Sequence, residues 1–114
     1  MLAFVRCEAL DGKVWQAEAR FLVRSARDLR ALLASAGLGD RGHLPDVSVT
    51  VRGDLLMEDR RISGRTVLTT EEVAQLAAAA PEPAERVRLT AWHAFARALE
   101  DAGRPARLIL WFVG

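Results

Sequence analysis

Residues 108–113 read LILWFV, six large apolar side chains with no polar residue between them. Side chains of a strand alternate faces, so Leu108, Leu110 and Phe112 belong to one side and Ile109, Trp111 and Val113 to the other. Burying each is worth roughly 1.5–3 kcal/mol, so leaving either set wet forgoes several kcal/mol, comparable with a domain's net stability. Both faces must be dry, as in a strand with neighbours above and below. The second cover is expected to be either a helix such as 90–102 crossing the back or another polypeptide, a twin subunit or a foreign partner.

The remaining segments read as an α+β chain. Residues 2–9 and 14–24 flank Asp11-Gly12, a two-residue hairpin signal. Alternation along the second strand places Trp15, Ala17, Ala19, Phe21 and Val23 on one face and Gln16, Glu18, Arg20 and Arg24 on the other, one dry and one wet. Ser25 with Asp28 has the shape of a capping box, Leu29, Leu32, Leu33 and Ala36 recur at helical spacing, and Gly37 closes the helix. After the loop GLGDRGHLP, Val47, Val49 and Val51 alternate with Ser48, Thr50 and Arg52 as a third strand, and Gly53-Asp54 turns the chain. LLMEDRRI, 55–62, reads as a fourth strand, followed by a short apolar TVL at 66–68.

Thr69 with Glu72 repeats the capping logic for a helix carrying Val73, Leu76, Ala77 and Ala80, which the PEP at 81–83 ends. Residues 84–89 fit a strand by alternation or the first turns of a longer helix opened by Pro83. Trp92, Phe95 and Leu99 then mark a helix stripe stopped by Gly103, before the strand 106–113. The expected fold is thus a single α+β domain over 1–114: a mainly antiparallel sheet of about five strands, with two or three helices packed chiefly against one face.

Candidate chemistry is sparse. Cys7 could be a nucleophile with His43 or His93 as base, but alternation puts it with Ala3, Val5 and Ala9 on a core face. The histidines lack the H-x3-H or H-E-x-x-H spacing of a metal site. Glu58-Asp59, Glu71-Glu72 and Glu100-Asp101 are sequence neighbours that diverge instead of facing one cavity, and Glu71-Glu72 suits a helix start. GLGDRG lacks the Lys-Ser/Thr of a phosphate loop and leads out of a helix. The small-enzyme reading would require Cys7, His93 or Arg60 to line a pocket. No cofactor or metal is expected.

Arg60, Arg61 and Arg65, with Arg52 nearby, could hold phosphates, but Glu58 and Asp59 stand beside them without a stacking aromatic. The competing readings are a solvated, self-compensating strand face and a mixed-charge protein-docking edge comprising Glu58, Asp59, Arg60, Arg61 and Arg65, with Trp111 as an apolar contact. Sixteen basic residues against fifteen acidic ones leave a net charge of +1, which argues against attraction to nucleic acid or anionic lipid. No apolar run approaches the 18 or so residues of a membrane span, Arg6 and Glu8 interrupt any signal-peptide core, and the single Cys7 suits a reducing compartment, so a cytoplasmic location is expected.

FLVRSARDLRALLAS, a strand followed by a helix with a leucine pair, and AFARALEDAGRPARLILW, a late helix ending in glycine, proline and a tryptophan strand, together resemble small bacterial immunity proteins that neutralise polymorphic toxins, particularly the deaminase-toxin immunity family. Gly103, Pro105 and Trp111 match that family's late Gly, Pro and Trp, and the likeness covers residues 15–36 and 90–111. The middle segment and the balanced charge depart from the pattern. The resemblance implies a stoichiometric protein inhibitor whose partner is a toxin. The expected function is accordingly a non-enzymatic protein-binding module, with a homodimeric structural or regulatory subunit as the alternative.

Overall fold

In a computed structural model describing residues 1–114, the elements run β1 (Leu2–Asp11), β2 (Val14–Val23), α1 (Arg27–Ser35), α2 (Val49–Glu58), a 3₁₀ turn (Asp59–Arg61), β3 (Ile62–Thr69), α3 (Thr70–Ala79), α4 (Pro83–Asp101) and β4 (Ala106–Val113). The class is α+β. The sheet has four antiparallel strands in the order β2-β1-β4-β3, so the apolar β4 is an inner strand and each of its eight residues is buried.

Two covers keep it dry. On one face α1, α3 and α4 close a large core in which Leu29, Leu33, Val73, Leu76, Leu89 and Trp92 meet Leu108, Leu110 and Phe112. On the other, α2 lays Val51 over Ile109, Trp111 and Val113, with Phe4, Val47, Leu55, Ile62 and Val67 around the rim. The cover is therefore a helix of the same chain, but not the segment 90–102, which packs on the front.

That helix also corrects the strand count. The expected third and fourth strands, 47–52 and 55–62, give way to α2 with its Ser48 cap and to the 3₁₀ turn, with only Ile62 joining a strand. Val47, Val51 and Leu55 are spaced four apart as well as alternating, and the requirement to cover β4 selects the helical period. Ser48 caps the helix, its hydroxyl accepting from Val51 N at 3.1 Å. Gly53 lies within the helix instead of turning the chain. The helices number four, three on one face and one on the other.

Asp11 pairs with Val14, so the hairpin turn is Gly12-Lys13, one residue on from Asp11-Gly12, and Gly12 takes φ 62°. Ser25 does not cap α1, whose N-cap is Ala26 without a side-chain bond. Thr69 and Glu72 do form a capping box, and Pro83 opens a continuous α4 that absorbs residues 84–89.

The expected faces of β2 are also revised by a bulge. Register passes from Cys7 opposite Ala19 to Glu8 opposite Ala17, leaving Glu18 unpaired. Side chains before and after that point therefore exchange faces. Phe21 stacks on Trp92 in the large core, whereas Trp15 lies over Arg107 on the α2 side.

The outer edge of β3 is closed by the glycine-rich loop. Gly42 N donates to Arg65 O at 3.0 Å, and the Arg41 guanidinium donates to Val67 O while its fork grips Glu72 at 2.9 Å. These contacts make GLGDRG an edge cover.

Candidate protein-docking face

The start of α2 is fixed by a buried polar cluster. Glu8, fully buried, accepts from Ser48 N at 2.6 Å through one oxygen and from Arg107 Nε at 2.9 Å through the other. Arg107 continues to Asp46 Oδ1 at 3.0 Å, and the Trp15 indole lies 3.8 Å from the guanidinium carbon while donating to Asp46 Oδ2 at 3.1 Å. Farther along the helix, Asp54 accepts from Arg6 Nε at 2.8 Å. His43 bonds Leu110 O through Nε2 at 2.9 Å, and burial, the larger effect, pushes its pKa below the ordinary 6.5. Loop, cap and ion pair together hold the inner side of α2 against the sheet.

Its outer side is apolar and open. Val49 is 83% exposed, Leu56 75% and Met57 86%, whereas most large apolar residues of the chain lie in the two cores. Gly53 lies between Val49 and Met57 at helical spacing and adds no side chain to the ridge. Leu56 and Met57 continue into a shallow cleft of about 450 Å³ shared with Glu58, Asp59, Arg60 and Arg61.

The structure thus brings the expected charged edge together at the end of α2, with Glu58 on the helix, Asp59, Arg60 and Arg61 on the 3₁₀ turn and Arg65 on β3. Glu58 pairs with Arg61 at 2.7 Å and Asp59 with Arg65 at 3.1 Å. Arg60 pairs with nothing. Trp111 lies beneath this surface: only 2% exposed, it sits under α2, stacked on Phe4 with ring centroids 5.7 Å apart, and floors a small hollow lined also by Met57 and Glu58. It is a core residue, and a contact that needs its side chain free is excluded in this fold.

The residues missed by sequence reasoning are Val49, Leu56, Met57 and Arg20, while Arg52, read from the sequence beside the arginine cluster, joins the first three on the helix. Arg52 lies on the same helical face as Val49 and Leu56, and Arg20, on β2, lines a small hollow with Met57 and Phe4. The detectable signal was the four-residue spacing of Val47, Val51 and Leu55 behind a serine cap. Once that side is assigned inward, Val49, Arg52, Leu56 and Met57 must face out.

The remaining candidates carry structural roles. Cys7 is 1% exposed, and burial, with Glu18 and Glu8 adding to it, pushes the thiol up to about 12, the opposite of an activated nucleophile. Glu72 is held below the ordinary carboxylate range chiefly by its hydrogen bond from Arg41. Asp101 pairs with Arg97 at the solvated end of α4. Cys7 and Arg60 lie on opposite sides of the sheet and line no common pocket with His93. No group of three or more His, Cys, Asp and Glu residues is arranged to hold a metal, and no helix is long and apolar enough to cross a membrane. Compared with known proteins, the chain matches no family model, no curated protein and no solved structure.

Proposed function

We propose that this chain is a non-enzymatic protein-binding module that engages its partner through the outer face of α2 and the 3₁₀ turn that follows. The observation carrying the reading is the open ridge of Val49, Leu56 and Met57, continuous with the edge of Glu58, Asp59, Arg60, Arg61 and Arg65. Covering three such side chains is worth roughly 1.5–3 kcal/mol each. Association itself costs about 4–15 kcal/mol, so the ridge supplies an anchor and the charged rim must supply the rest.

The finer reading is a stoichiometric inhibitor acting in the cytoplasm on a toxin-like enzyme. It rests on the resemblance of residues 15–36 and 90–111 to the deaminase-toxin immunity family and on the lone buried Cys7. The dimeric alternative, in its version across the terminal strand, loses its contact because α2 already occupies that face.

The test compares affinity capture by the wild-type chain and by a Leu56→Asp/Met57→Asp variant from the native cell extract. Both side chains are solvent-exposed, so the variant should keep its thermal midpoint within about 2 °C while losing the captured protein. Equal capture by both, or no stoichiometric partner with wild type, overturns the reading.

A further inference from the structure

We infer that the partner surface is acidic: an apolar ridge flanked by carboxylates, complementary to α2. This deepens the protein-binding proposal and rests on it.

The inference comes from a charge inventory of the patch, which differs from that of the whole chain. The carboxylates of α2 and the turn are neutralised within the molecule, Asp54 by Arg6, Glu58 by Arg61 and Asp59 by Arg65, while Asp46, just before the helix, shares Arg107 with Glu8. Three guanidinium groups remain exposed without a carboxylate, Arg20, Arg52 and Arg60. Arg52 reaches only the Pro45 carbonyl, at 3.4 Å, and Arg20 lies over the Phe4 ring at 5.5 Å. A molecule with a formal net charge of +1 therefore presents three unpaired guanidinium groups, and a local excess of two cations once Asp46 is counted, around its most exposed apolar side chains.

Their placement follows from the fold. Arg52 lies one turn from both Val49 and Leu56, Arg60 follows Leu56 by four residues, and Arg20 reaches the Met57 side from β2. The cations flank the ridge along its middle, at its end and on one side. Guanidinium groups recognise carboxylates through paired hydrogen bonds, and a partner offering them around an apolar ridge would satisfy all three at once.

The same inventory decides against two other occupants. A twofold contact between copies would bring two surfaces with the same excess of free arginines together across an isologous interface, with fewer spare carboxylates than cations to separate them. A lipid surface would take the arginines but would also meet the carboxylates of Glu58 and Asp59 beside only three apolar anchors.

The experiment uses three helical peptides with an identical leucine ridge flanked by Glu, Gln or Lys, titrated into the isotopically labelled full chain. The Glu peptide is expected to shift amides of residues 49–61 and to bind at least about tenfold more tightly than the Lys peptide at low salt. The preference should collapse near 1 M salt, where the screening length is about 3 Å, and reverse in Arg20→Glu/Arg52→Glu/Arg60→Glu. A charge-blind ranking, shifts confined to another surface, or no binding by any peptide overturns the inference. So does stronger perturbation of α2 by phosphatidylserine vesicles, or a concentration-dependent dimer abolished by Leu56→Asp. A native partner captured through Leu56 and Met57 but insensitive to the triple arginine variant would leave the binding-module proposal standing and remove this one.

Discussion

Glu8 and Arg107 sit opposite each other on β1 and β4, almost wholly shielded from water, with side-chain exposures of 0% and 7%. A buried ion pair gains little net stability, because desolvating both charges offsets their attraction, but breaking it leaves one charge without compensation. Glu8→Leu would leave buried Arg107 only the half-exposed Asp46 as a partner and also remove the acceptor of Ser48 N, so it should cost about 3 kcal/mol in urea unfolding. Glu8→Leu/Arg107→Leu should cost less than the single change, since neither charge then remains buried. Equal losses in both variants would mean that packing, not charge, sets the penalty. The consequence reaches past the core, because Ser48 is the cap of α2 and Asp46 the residue holding the preceding loop.

At the scale of elements, α2 is secured on its inner side and incompletely optimised on its outer side. A glycine inside a helix costs roughly 0.5–1 kcal/mol relative to alanine, and a Cβ built on Gly53 meets nothing within 4 Å. Gly53→Ala should therefore stabilise the fold by about 1 kcal/mol in denaturant titration, and a loss of stability would contradict the helix over 49–58. This element was also where reading from residues went astray. VSVTVRG satisfies the two-residue period of a strand and contains a glycine that looks like a turn, while its cap lacks the Glu or Gln at the third helical position that marked Thr69-Glu72. Only the need to cover Ile109, Trp111 and Val113, a long-range condition, chooses the helix. The charged residues of the candidate face were legible as a cluster because they adjoin in sequence. The apolar ridge was not, since assigning 47–62 to strands sends Val49, Leu56 and Met57 to other faces. The bulge at Glu18 misplaced Trp15 for a similar reason: one unpaired residue exchanges the faces of everything beyond it, and nothing in the local pattern announces it.

For the whole molecule, the inner position of β4 was legible because burial of six consecutive apolar side chains has no cheaper solution, whichever element supplies the second cover. The two covers are unequal. Three helices close a core of 19 buried residues on one side, while α2 closes a cluster of four on the other. Local opening should follow that asymmetry, since its cost scales with the apolar burial that must be undone. Amides of β4 that bond β1 and β3 are predicted to exchange with deuterium only at the free energy of global unfolding. Amides of α2 should exchange through a separate opening of lower cost, and Trp111→Ala, which removes the indole under that helix, should lower this local value while destabilising the whole by about 3–5 kcal/mol. Exchange resolved by residue in wild type and variant measures both quantities. Rapid exchange along residues 108–113 would mean that the sheet's centre is not shielded on both faces, and the outward aim of Val49, Leu56 and Met57, which depends on α2 seated there, would fall with it.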